Sequence, residues 1–145
     1  MKLYCFGESG HSYKAALALE LAGCDWEPIF VDFFNGETKS DAYRQNINNM
    51  GEAPVLVDGD STLSQSGVIQ AYIAEKTGRH GGQTEIQKRE ILRWILWDNS
   101  KFSSIIGMTR FLMNFVTETQ RPEAVIKFNQ SRLQAAYRVL NDGLQ

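Results

Sequence analysis

Three short polar stretches of this 145-residue chain have residue types and placements that could do chemistry. The first is Ser9-Gly10-His11-Ser12, between the apolar run Leu3-Tyr4-Cys5-Phe6 and an Ala- and Leu-rich segment. A helix beginning there leaves its first N–H groups without intrahelical partners and carries a partial positive charge at that end. Serine hydroxyls at such a point either cap the helix or hold an anion, and Ser-x-x-Ser alone leaves both open. The second stretch is Gly51-Glu52-Ala53-Pro54-Val55-Leu56. Proline is admitted as the first residue of a strand, and base rates favour a trans bond before it. The third is Leu63-Ser64-Gln65-Ser66-Gly67-Val68-Ile69, at another strand-to-helix junction. By themselves Ser66 reads as a helix cap and Gln65 as a solvated amide.

The elements that must position these residues alternate in the first half. Leu3 to Phe6 suits a strand buried on both faces. Ser12 to Ala22 reads as a helix with Ala15, Leu19 and Ala22 on one face, stopped by Gly23. Ile29-Phe30-Val31 is a second strand, followed by an irregular segment. Val55-Leu56-Val57 leads through Asp58-Gly59, a tight hairpin turn, into Thr62-Leu63. A helix then runs from Ser66, with Val68, Ile69, Tyr72 and Ile73 at helical spacing and Gly78 as its stop.

The second half has no strand pattern. Thr84-Glu85-Ile86-Gln87 is a capping box opening a long helix toward Phe115, with Gly107 as its expected kink. Pro122 fits the first turn of another helix, striped by Val125, Phe128, Leu133, Ala136, Val139 and Leu140, with Asn141-Asp142-Gly143 closing it. Charge changes sign between the halves. Residues 1–78 hold 5 Lys or Arg against 11 Asp or Glu, whereas residues 79–145 hold 10 against 6. The changeover at Thr77-Gly78-Arg79-His80-Gly81-Gly82 predicts two domains, 1–78 and 84–145, joined by a linker at 79–83.

Taken in order, strand, Ser-x-x-Ser, helix, Ala-Pro-Val-Leu-Val-Asp-Gly-Asp and Leu-Ser-Gln-Ser-Gly-Val-Ile-Gln-Ala-Tyr-Ile-Ala-Glu-Lys-Thr-Gly, residues 1–80 resemble the N-terminal domain of the soluble glutathione transferases. The stretch 51–78 is the specific part, since the family often reads Gly-x-Val-Pro-x-Leu and places an acidic residue or Gln before the Ser. Trp94, Trp97 and Asp98 resemble the start of the family's helical domain. The resemblance implies an α/β thioredoxin-like domain, βαβαββα with a mixed sheet, followed by an all-helical region that is short for the family. It makes Ser9 the catalytic hydroxyl and Pro54 a cis-proline. It assigns glutathione to Ala53, through its backbone, and to Gln65 and Ser66 at the γ-glutamyl end. Ser12 competes with Ser9 for the thiol, and His11, Lys39 and Glu52 are further contacts, with His11 and Glu52 in loops and Lys39 toward the glycyl carboxylate. Two departures touch the peptide contacts. Asn48-Asn49 replaces the usual Asn-Pro, and Glu52 stands where a basic residue is common.

The implied chemistry agrees with the bare residues. A thiol of pKa ~8.5 is only about 3% thiolate at pH 7, and the thiolate is the nucleophile. Lowering that pKa by ~2 units corresponds to ~2.7 kcal/mol, within reach of one or two charge-assisted hydrogen bonds. Ser9 is therefore expected as a donor, with glutathione as co-substrate, a small hydrophobic electrophile as acceptor, and no metal or other cofactor. The competing expectation is a non-catalytic binding or assembly module on the same scaffold.

Composition narrows the class further. A chain that is 43% hydrophobic and 22% charged can build a core without staples. Net charge −2 argues against nucleic acid, and no apolar run reaches the ~18 residues of a membrane span. Cys5 and Cys24 lack metal or redox-pair spacing, which with the absence of an apolar leader at Met1 to Glu8 points to a cytoplasmic protein. The crowd of apolar residues from Trp94 to Phe115 predicts a homodimer.

Overall fold

Strand β1 (Lys2–Cys5) lies inside a four-stranded mixed sheet in the computed structural model, which describes residues 1–144. It pairs in parallel with β2 (Glu27–Phe30) and antiparallel with β3 (Val55–Asp58), and β3 pairs antiparallel with β4 (Ser61–Ser64), giving the order β2-β1-β3-β4. With α1 (Gly10–Ala22), α2 (Asp41–Asn46) and α3 (Ser66–Thr77) interleaved, the order is βαβαββα, as expected for a thioredoxin-like domain.

The core forms where periodicity demands it. Leu3 and Leu56 from the two inner strands meet Ala15, Leu19 and Ala22 of α1 and Ile69 and Ile73 of α3. The α1 set recurs at helical spacing on one face, and each fully buried Leu or Ile contributes ~1.5–3 kcal/mol. Gly23 at φ 68 ends α1, where its N–H and that of Cys24 bond back to Glu20 and Leu19. The hairpin closes with Asp58 opposite Ser61, so its loop is Gly59-Asp60, one residue beyond the expected Asp58-Gly59. Asp58 accepts from Tyr72 Oη at 2.7 Å and from Lys76 Nζ, fastening the hairpin to α3. The segment read as irregular holds a 3-10 turn (Glu37–Lys39) and α2, whose cap Ser40 accepts the Tyr43 N–H at 3.1 Å.

The chain divides into two compact units at Ile91/Leu92, inside α4 (Glu85–Trp97), beyond the expected linker at 79–83. The start of α4 belongs with the first unit: Gln87 Oε1 accepts the N–H groups of Gln83 and Thr84 at 2.7 and 3.1 Å, the expected capping box. In the second unit the interruption falls at a π-helical segment (Asp98–Ser103) ahead of α5 (Ser104–Asn114), not at Gly107, which lies within α5. Wider i→i+5 turns insert without a glycine, and this one stacks Phe102 on Trp97 at 6.1 Å with Tyr137 edge-on at 5.2 Å. Helix α6 (Glu123–Gly143) begins after Pro122 and buries Ile126, Leu133 and Ala136, with Ile105 buried on α5. Among the described residues no helix is long and apolar enough to cross a membrane.

Candidate functional site

Register across three strands gathers the candidate residues. Tyr4 pairs with Val55, and Val55 with Ser64, in one row of the sheet. The segments leaving that row, toward Ser9 after β1, back to Ala53-Pro54 before β3, and on to Gln65-Ser66 after β4, therefore emerge at one end of the sheet. The Ala53–Pro54 bond is cis, so the base-rate expectation of trans fails and the resemblance is followed.

Ser9 is the N-cap of α1, which begins at Gly10 rather than Ser12. Its backbone is extended at φ −82, ψ 115, and its Oγ accepts the Ser12 N–H at 3.1 Å. A hydroxyl that accepts in this way keeps its own proton to donate outward. Ser12 is 4% exposed, and its Oγ has no hydrogen-bond partner. His11, expected in a loop, lies in the first turn of α1, with Nδ1 3.2 Å from Ser66 Oγ. Ser66 is buried at the start of α3.

Gln65 precedes it at φ 69, ψ 116, a backbone conformation costing ~1–3 kcal/mol that persists only where surroundings impose it. Its Nε2 donates to Glu52 Oε2 at 2.5 Å. The Glu52 carbonyl accepts from Tyr43 Oη at 2.9 Å and from Asn48 Nδ2 at 3.2 Å. Burial, then the charges of Glu37 and Tyr4, push the Tyr43 hydroxyl up to about 12, keeping it a protonated donor. Lys39 stands apart, exposed on its 3-10 turn and bonded to none of the other candidates. Burial pushes the Cys5 thiol up, which makes it a poor nucleophile.

Reading the sequence alone missed Tyr43, and met Asn48 only as a departure from the usual Asn-Pro; both sit in the segment taken as irregular and act through side chains on the Glu52 backbone carbonyl. It also missed an aromatic cluster behind Ser9, whose N–H bonds the Phe6 carbonyl at 3.2 Å. Phe6 stacks on Phe33 at 4.5 Å and 7°, and Phe34 meets both rings edge-on. Separate aromatic residues just past β1 and β2 give no one-dimensional signal of that meeting.

Residues 1–75 match the family model for the glutathione S-transferase N-terminal domain. The chain belongs to the glutathione S-transferase family. A zeta-class glutathione S-transferase of Euphorbia esula is 30% identical over 147 residues, covering all of this chain and 64% of the relative, so the chain spans less than two thirds of that protein's length. A disulfide-bond oxidoreductase of Escherichia coli K12 is 29% identical over 148 residues, covering 97% of this chain and 67% of that protein. Poplar glutathione transferase F1 superposes with a TM-score of 0.86 at 24% identity, over 99% of this chain and 68% of its own. The last likeness is one of fold.

Proposed function

We propose that this chain binds glutathione and transfers it to small hydrophobic electrophiles. Ser9 carries the reading, because a helix-capping hydroxyl with a proton to spare stands at the end of the sheet where Ala53, Pro54, Gln65 and Ser66 also emerge. On this reading Gln65 and Ser66 hold the γ-glutamyl end of the tripeptide, the Ala53 backbone pairs with its cysteinyl unit, His11 and Glu52 lie behind Ser66 and Gln65, and Lys39 faces the glycyl carboxylate from its separate turn. The Ser9 hydroxyl and the N-terminus of α1 stabilise the sulfur anion. The thiol proton leaves to solvent, the thiolate forms a carbon–sulfur bond with the electrophile, and the displaced group departs with its electron pair. No resident cofactor takes part.

Ser12 is the weaker partner for the thiol, since its hydroxyl is buried. Disulfide exchange through a protein thiol needs a cysteine at this turn, where Ser9 and Ser12 stand. A cytoplasmic homodimer belongs to the same proposal, supported by the exposed Leu92, Leu96, Met108 and Phe111; light scattering at micromolar concentration tests the dimer.

The deciding experiment is retention on immobilised glutathione followed by a conjugation assay with a nitroaryl halide. Ser9→Ala should leave retention nearly intact. Turnover at neutral pH should fall roughly 10–100-fold and partly recover as pH rises, matching the loss of ~1.5–3 kcal/mol of thiolate stabilisation. Retention without conjugation would favour a binding module, and no retention would end the glutathione reading.

A further inference from the structure

Glu52 and Gln65 meet on the exposed side of the site, with Gln65 Nε2 donating to Glu52 Oε2 at 2.5 Å. An ionised carboxylate offers only lone pairs, so it must face the amide NH2, and the amide oxygen of Gln65 turns away from it. Gln65 itself holds a positive φ at the strand-to-helix turn, directly before α3. The Glu52 carboxylate is spare to the local fold, because Tyr43 and Asn48 hold the backbone carbonyl and not the side chain. What results, one residue before Ser66, is an amide oxygen facing away from Glu52 and backed by a full negative charge. That combination accepts hydrogen bonds from an ammonium group, attracts it, and disfavours the same ligand once its amine is neutralised.

We propose that Glu52 is a positioning residue that locks the Gln65 amide and gives the peptide site its preference for a ligand with a cationic amino end. The inference rests on the glutathione reading, in which the γ-glutamyl end carrying the α-ammonium group lies against Gln65 and Ser66. Removing the Glu52 charge then releases the amide to rotate and takes away the attraction, while the thiolate stabilised at Ser9 is untouched.

Calorimetric titration of the full chain with glutathione and with N-acetylated glutathione tests this. The unmodified protein should prefer glutathione by about tenfold, the scale of one ammonium–carboxylate attraction across a partly solvated gap. Glu52→Gln should bring the ratio close to one by weakening glutathione alone, and in the conjugation assay KM should rise with kcat unchanged. The double variant Glu52→Gln with Gln65→Glu, which returns the carboxylate to the other partner, should restore the preference. An unchanged ratio in Glu52→Gln, an equal weakening of both ligands, or a folded double variant without restored preference would overturn the proposal and leave the glutathione reading standing. Failure of the unmodified protein to bind glutathione would overturn both.

Discussion

His11 Nδ1 lies 3.2 Å from Ser66 Oγ, a bond between the opening turns of two helices 55 positions apart in sequence. The same two helices share the core lower down through Ala15, Leu19, Ile69 and Ile73. A polar latch at the mouth therefore sits above an apolar seam, tying the Ser66 hydroxyl oxygen to the first turn of α1.

Because the two groups are partners, their removal should not add. His11→Ala and Ser66→Ala should each cost ~0.5–1.5 kcal/mol, with the double variant losing less than the sum. Urea unfolding of the four proteins measures the coupling, and strict additivity would show that the contact contributes nothing.

Ser9 has two tasks that substitution can separate. Alanine removes the cap on α1 and should cost ~0.5–2 kcal/mol of stability, whereas glycine, itself a tolerated cap, should cost only a few tenths. Both remove the hydroxyl, so both should show the same raised pKa of bound thiol. Thermal melts read the first effect and thiolate absorbance the second. Equal stabilities for Ser9→Ala and Ser9→Gly would contradict the capping geometry.

The Asp58 carboxyl is held below its ordinary value, first by the hydrogen bond from Lys76 and then by that from Tyr72. A depressed carboxyl pKa adds stability that is present above the unfolded value, near ~3.9, and is lost as pH falls through the folded value. The melting temperature should therefore drop more steeply below about pH 4 in the natural protein than in Asp58→Asn. Parallel acid limbs for the two proteins would remove Asp58 from the account.

Gly51, immediately before Glu52, adopts φ 67, and a Cβ there would come within 2.8 Å of both the Thr38 carbonyl oxygen and Arg44 Nη2. The arginine can swing aside but the backbone carbonyl cannot. Gly51→Ala should cost ~1–3 kcal/mol from strain alone and should weaken glutathione retention by displacing Glu52 and Ala53. Wild-type melting and retention would show that the loop yields freely.

Elements announced by local chemistry were legible in the sequence. Gly23 and Gly78 stop their helices, Pro54 precedes a β-branched strand, and Thr84 with Gln87 opens α4, each through an interaction confined to neighbouring residues. What escaped was chemistry formed by distant partners. Nothing near Tyr43 foretells that its hydroxyl will hold the Glu52 carbonyl, and nothing near Phe6 foretells Phe33 and Phe34. The π-helical turn at 98–103 escaped for another reason: Gly107 offered a plausible kink, but the departure from α geometry lies where Phe102 stacks on Trp97 and meets Tyr137 edge-on. The candidate site was readable as three fragments, and strand register, a tertiary quantity, joined them.

The row Tyr4, Val55, Ser64 ties the existence of the site to the cooperativity of folding. The three fragments belong to segments that become neighbours only when both antiparallel ladders have closed, so no partly zipped sheet possesses the site. On the proposed reading, a tripeptide spanning them would act as a thermodynamic brace on the native state, adding ~2.7 kcal/mol when present at a hundred times its dissociation constant. Amide exchange along β1, β3 and β4 would slow together as the tripeptide is added, and the protein's resistance to proteolysis would track the surrounding thiol pool even when no electrophile is present.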